Sequence, residues 1–416
     1  MTVLGIIAEF NPFHNGHLHL LQEAKKSVPD AACVCVMSGN FLQRGDAALC
    51  NKWSRAEMAI NAGADLVLEL PFCFAVRSAY YFARGAIQLL ERTGVVTHLP
   101  FGSESGNLEE LQRIATIISN EGQDYQTHLK KHLAQGTGFA RARSLTLQSI
   151  IKNPDLHNIW LQPNNILALE YLHVLTETES SLTALTIPRR GPGYHSDELS
   201  SLASASAIRM ALINGQNLAQ IAPGVPPGTL HLLANEIAAG RAPIKIESLE
   251  QSILLQLRLA SAPQLAQIYE VSEGLENRIL KAAGHSVSFE ELRQSIKSKR
   301  YTLSRINRII LYSLLNLSKD QVVRFDDSGP LYLHVLGFSP SGQKILQEIK
   351  AKSLLPIFSR GSAVKKAHQD DSQPLLQAML DLDRRATDMY TLLYPNPETR
   401  QGGLDFSTSP VRVESH

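Results

Sequence analysis

The chain has 416 residues, 44% hydrophobic and 19% charged, and its 40 Lys and Arg nearly cancel 39 Asp and Glu to leave a net charge of +1. That is an ordinary soluble globular composition with room for two or three domains, and it leaves any nucleic-acid binding to local patches. No apolar run is long enough to span a bilayer, and Cys33, Cys35, Cys50 and Cys73 show neither CxxC spacing nor a paired histidine, so a reduced, cytosolic protein without a disulfide framework is expected.

In chain order, TVLGIIAEF (2–10) is β-branched and apolar and reads as a buried strand. Its interruption by Glu9, with no basic start or cleavage-type region, argues against a signal peptide. Asn11-Pro12 breaks the strand, and from Gly16 the spacing of Leu18, Leu21, Ala24 and Lys25 predicts a helix to about Pro29. His14 then sits in the turn and His17 in the first helical turn, where free backbone N–H groups and the dipole attract anions. Ala31–Ser38 is a second strand, and the loop GNFLQRGDAALCNKW leads to a helix at about Ser54–Ala62. Asp65–Pro71 is a third strand, SAYYFARGAIQLLERTG a helix, and VVTHLPFGSES a fourth strand ending in a Gly-Ser loop. Helical patterns from Asn107 to about Ile150, a helix at Asn164–Glu177, a strand at Leu182–Pro188 and a helix at Ala203–Asn214 follow.

Strands alternating with helices predict an α/β, Rossmann-like domain over residues 1–221, with a parallel sheet and ligands at the strands' C-terminal ends. APGVPPGT (222–229) reads as a linker, and residues 230–416 as a mostly helical domain with a loosely held tail after about Pro395. Four polar loops, SGNFLQRG, FGSES, RRGPGYHS and SASAIR, fall on the same sheet edge as FHNGH, which points to a nucleotide pocket.

FHNGH resembles the HxGH signature of the nucleotidyltransferase superfamily, and SASAIR (Ser204–Arg209) its second, Ser/Thr-rich signature. EFNPFHNGH, MSGNFLQRG, LELPF, FGSES, PNNILALEY, GPGYHS, SASAIR and KRYTLSRINR together resemble the tRNA(Met) cytidine acetate ligase family over most of the chain. The resemblance implies that ATP, with Mg²⁺, and acetate give acetyl-adenylate, and that acetyl then passes to N4 of the wobble cytidine of elongator tRNA(Met). It implies catalytic roles for His14 and His17, each donating Nε2–H to phosphate. ATP would be bound by Ile7, Ala8, Glu9, Phe10, Asn11, Pro12, Phe13, Asn15, Gly16 and Leu20, with Gly16 allowing close approach and Gly102 facing the adenosine. One of Asn164 and Asn165 and at least one of Arg189 and Arg190, with Arg189 favoured, would contact the nucleotide. Ser204, Ser206 and Arg209 have the position for the triphosphate. Ser38, Gln43 and Arg44 form a substrate loop in which Arg44 is best placed for a phosphate or the acetate carboxylate, with Lys52 and Arg55 behind it. No general base is needed for the first step, since acetate is already ionised at neutral pH. A protein-held metal is not expected, because His14, His17 and His19 have no Cys or carboxylate at ligand spacing.

For the transfer step, IKSKRYTLSRINR (296–308) carries five basic and no acidic residues. Spacings of three, four and four put Lys297, Arg300, Ser304 and Arg308 on one helix face, with Tyr301 beside them to stack on a base. SRGSAVKK (359–366) and Arg384–Arg385 extend that candidate tRNA surface. The alternative reading is an HxGH adenylyltransferase making a small-molecule cofactor, which explains the two signatures equally well but not the long, locally basic helical half.

Overall fold

The computed structural model describes residues 1–153, 156–189 and 201–414. Apolar runs make the strands β1 Val3–Ala8, β2 Ala32–Ser38, β3 Leu66–Leu70, β4 His98–Ser103 and β5 Thr183–Pro188, as the sequence predicts. Three further strands, β6 Leu333–Phe338, β7 Ile357–Phe358 and β8 Val411–Arg412, come from the half expected to be helical. All join one sheet in the order β5-β4-β1-β2-β3-β6-β7, with β8 also on β6. Every pairing is parallel except β3 with β6, where Leu66 faces Phe338 and Glu69 faces His334.

Alternation along the strands builds two cores. Val34, Val36, Leu66 and Leu68 face one side, under the helices Ala79–Arg92 and Pro163–Glu177 and the helical half. Leu4, Ile6, Cys33, Cys35 and Met37 face the other, under α1 (Asn15–Ser27), α2 (Lys52–Asn61) and the helix Ala205–Ile213. The four cysteines are free and buried. No helix among the described residues is long and apolar enough to cross a membrane.

The expected linker and tail are both integral to the fold. Residues 222–229 form a short 3₁₀ turn and the start of the helix Pro227–Ala238, with Val225 and Thr229 buried. Proline read as a breaker is here the first residue of a helix, where it costs no hydrogen bond. Asp405, 3% exposed, reaches Lys52 Nζ at 2.6 Å, and Lys52 also contacts both Glu69 oxygens at 2.8 Å. His334 Nδ1 lies 2.6 Å from Glu69 as well. Among the described residues Glu69, His334 and Asp405 are the one trio spaced to hold a metal, but Lys52 already supplies the positive charge between them. Residues 333–412 thus complete the first sheet, so the boundary expected near residue 230 does not separate two sheets or two cores.

Candidate active site

The C-terminal ends of β1, β4 and β5 open onto a cleft of ≈ 440 Å³. Its first wall is the β1–α1 turn, which is heavily pinned. Phe10 adopts φ 46, a left-handed conformation that a bulky side chain takes only when its surroundings impose it. Arg55 Nη1 donates to Glu9 O at 2.6 Å, Arg209 Nη1 to Asn11 O at 2.8 Å, and Leu49 N to Asn11 Oδ1 at 2.7 Å.

His14 caps α1: its Nδ1 accepts the Gly16 N–H at 2.9 Å, while His17 Nδ1 accepts the His14 N–H at 3.3 Å. With both Nδ1 atoms acting as acceptors, each neutral ring carries its proton on Nε2. The two rings stack with centroids 3.9 Å apart. Burial, with Arg189 and Arg209 nearby, lowers the His14 pKa to about 3, and burial beside His14 and Arg189 lowers that of His17 well below its ordinary value. Both therefore stay neutral at pH 7 and can offer Nε2–H to an anion. This corrects the sequence expectation at one point: the first-turn amides are largely spent, since His17 N and Leu18 N bond His14 O and Gly16 N bonds the ring. Gly16 lines the cleft, and the structure adds a second reason for glycine there, because a Cβ would stand 2.7 Å from His14 Cε1.

The opposite wall carries cations and polar groups. Asn164 lines the cleft, takes the Arg189 Nη1 hydrogen bond on Oδ1 at 2.9 Å and donates from Nδ2 to Glu104 at 2.6 Å. Asn165 is fully buried and accepts from Glu104 N and Ser105 N, so of the two it is Asn164 that faces the cleft. The Arg189 stem passes 3.4 Å from where a Cβ on Gly102 would lie. Arg209 reaches Ser206 Oγ at 3.1 Å, and Ser204 caps the same helix through Ala207 N. Arg190 and the GPGYHS motif lie outside the described residues.

Gln43, Arg44 and Asp46 enter from the loop after β2. Gln43 N donates to Glu9 Oε1 at 2.8 Å, and Asn307 Nδ2 to Asp46 Oδ1 at 3.0 Å. Burial raises the pKa of both carboxyls, offset in part by Arg209 and Arg44. Asn11 also faces the cleft, and its Nδ2 is a buried donor with no partner among the described residues, as a site waiting for a ligand acceptor would have. Ile7, Ala8, Glu9, Phe10 and Leu20 line the cleft.

Several expected residues lie elsewhere. Ser38 is 1% exposed and off the cleft, and Phe13 is buried beneath it. Pro12 is buried in the turn and does not line it, and Asn15 Nδ2 instead ties Ser201 O and Pro223 O at 2.8 and 2.9 Å. Lys52 and Arg55 are fully buried; Arg55 bonds Ser38 O, Gly39 O and Cys50 O and so shapes the loop rather than reaching substrate. Sequence reasoning missed the apolar end, where Phe82, Phe101, Leu167 and Tyr171 face the space. Asn164, Leu167 and Tyr171 follow at helical spacing within PNNILALEY, and that periodicity was the readable signal.

The basic segment does not form one helix face. One helix ends at Ile296, the next begins at Leu303, and residues 297–302 are a loop between them. Arg308 is buried and gives its guanidinium to Glu270 at 3.0 Å, and Tyr301 is 8% exposed with its hydroxyl on Ser272 O. Lys297 and Arg300 are exposed, Arg300 paired with Glu273. Arg384 and Arg385 pair with Asp381, and Arg384 also with Asp388.

The HIGH Nucleotidyl Transferase family model matches residues 1–405, which places this sheet-edge cleft with its two neutral imidazoles in the nucleotidyltransferase class. Within that class the chain belongs to the tRNA(Met) cytidine acetate ligase family. It is 57% identical to the ligase of that name from Syntrophomonas wolfei over 99% of both chains, and 40% identical to the one from Halothermothrix orenii over 98% of both. Two crystal structures of Thermotoga maritima TmcAL superpose over 100% of both chains, the apo form with TM-score 0.94 at 35% identity. The form bound with alpha-thio ATP superposes with TM-score 0.92 at 36% identity.

Proposed function

We propose that the protein activates acetate with ATP and transfers the acetyl group to N4 of the wobble cytidine in elongator tRNA(Met), in the cytoplasm. In the first step an acetate oxygen attacks the α-phosphorus and pyrophosphate leaves; in the second the N4 amine attacks the acetyl carbon, loses a proton and displaces AMP. The observation that carries this reading is the pair of neutral histidines facing a cleft whose other wall holds Arg189 and Arg209.

In-line attack builds negative charge beside a triphosphate already present, so the protein must position groups and supply donors rather than do covalent chemistry. His14 and His17 donate from Nε2 on one side of the phosphates, and Arg189 and Arg209 neutralise them from the other. The base lies at the apolar end, where Gly102 leaves room and Phe101, Leu167 and Tyr171 enclose it. Arg44, exposed at the rim, receives the acetate carboxylate. Among the described residues Glu9 and Asp46 are the cleft carboxylates that would share a Mg²⁺ carried by the nucleotide, which suits an ion that takes most of its ligands from phosphates and water.

Incubation with ATP, Mg²⁺, labelled acetate and tRNA, followed by nucleoside analysis, tests the reading. Label should appear as N4-acetylcytidine and only with ATP. Pyrophosphate exchange that depends on a phosphorylated small molecule, and not on acetate, would overturn it.

A further inference from the structure

The stretch 125–153 holds five Lys and Arg residues and no carboxylate. It folds as two helices, Gln123–Ala134 and Phe139–Ile150, joined by a short turn. Arg143 points inward to Glu170 at 2.5 Å, but Lys130, Lys131 and Arg141 are exposed around the turn and make no ion pair with a described residue. Between them Phe139 is 57% exposed, a large apolar ring that the fold itself leaves uncovered. The turn abuts the basic loop: a Cβ on Gly138 would stand 3.2 Å from Lys299 O and 3.6 Å from Arg300 O. Lys297, Lys299 and Arg300, all exposed, therefore continue the same face. From that loop the helix Leu303–Leu315 climbs about 8 Å to Asn307, which holds Asp46 at the cleft.

We infer that the hairpin tip 130–141 and the loop 297–301 form one RNA-binding face beside the cleft, with the cations on backbone phosphates and Phe139 stacked on an unpaired base. This rests on the tRNA-modifying reading above and assigns it a surface. Cations ringing an exposed aromatic suit a single-stranded loop, whose unstacked bases offer a π-face next to every phosphate. A protein partner would call for a broader apolar centre than one phenyl ring.

The test measures binding of an elongator tRNA(Met) transcript to the full chain at several salt concentrations, alongside acetate-dependent ATP–pyrophosphate exchange without RNA. K130E/K131E/R141E should bind tRNA at least tenfold more weakly, with the slope of log K against log salt flattened by about two. F139A should weaken binding with the slope unchanged. Both should leave the exchange reaction intact, which also shows that they fold. Wild-type affinity and slope in the charge-reversed variant would overturn the surface while leaving the tRNA reading standing. Failure of the wild-type protein itself to bind the transcript would overturn both.

Discussion

The cleft and the 301–308 segment both carry cations and aromatic groups, yet they put them to opposite uses. At the cleft, Arg209 donates to a backbone carbonyl and a serine hydroxyl, and the histidines keep their Nε2–H groups for something else. In the segment, Arg308 is buried against Glu270 and Tyr301 is tucked beneath the surface, so both hold helices together. Residue type and local spacing are the same kind of signal in both places. What separates them is whether a distant segment brings a carboxylate.

The sharpest way to break this contrast is Arg308→Ala. It leaves the half-buried Glu270 without its partner and should cost about 2–3 kcal/mol in urea unfolding, with Arg308→Ala/Glu270→Ala costing less than the single variant. A change under about 1 kcal/mol would return Arg308 to the list of candidate RNA contacts. Next, His17→Ala should lower acetate-dependent exchange by about 10²–10³-fold, as loss of one charge-stabilising donor does, while the circular dichroism spectrum is kept. Exchange within a few-fold of wild type would place the phosphates elsewhere.

Acid sharpens the same comparison. His14 accepts a proton near pH 3 in the fold but near 6.5 when unfolded, so between those values the unfolded state binds more protons and stability falls as pH drops below 6.5. In His14→Gln that part of the decline in melting temperature should disappear. Smallest of all, Arg300→Ala breaks only an exposed pair with Glu273, and its stability should stay within about 0.5 kcal/mol of wild type. Its tRNA affinity should fall a few-fold, and raising salt should erase the difference.

Much of the site was legible because it is local. His14, Gly16 and His17 lie within one turn of a strand whose apolar run is unmistakable, and SASAIR carries its own cap. Asn164 could not be told from Asn165 by sequence, because the choice depends on where Glu104 and Arg189 arrive. The break at 297–302 contains neither Pro nor Gly, and its cue was Thr302, whose side chain caps the next helix through Arg305 N. LHVLGF is a short apolar run of the kind that periodicity alone cannot assign, and its pairing with β3, β7 and β8 makes it a strand.

Lys52 lies at the start of α2, directly after the loop that brings Arg44 and Asp46 to the cleft, yet one of its buried counter-ions is Asp405. A ribosome adding residues at about 5–20 per second reaches Asp405 roughly twenty seconds to a minute after it has made Glu69. The nascent chain has β3 with a bare edge until β6 is made, and Lys52 with only part of its negative charge until Asp405 follows. A fragment that stops short of β6 therefore contains the motifs that line the cleft but not the strand and carboxylate that complete the sheet carrying it.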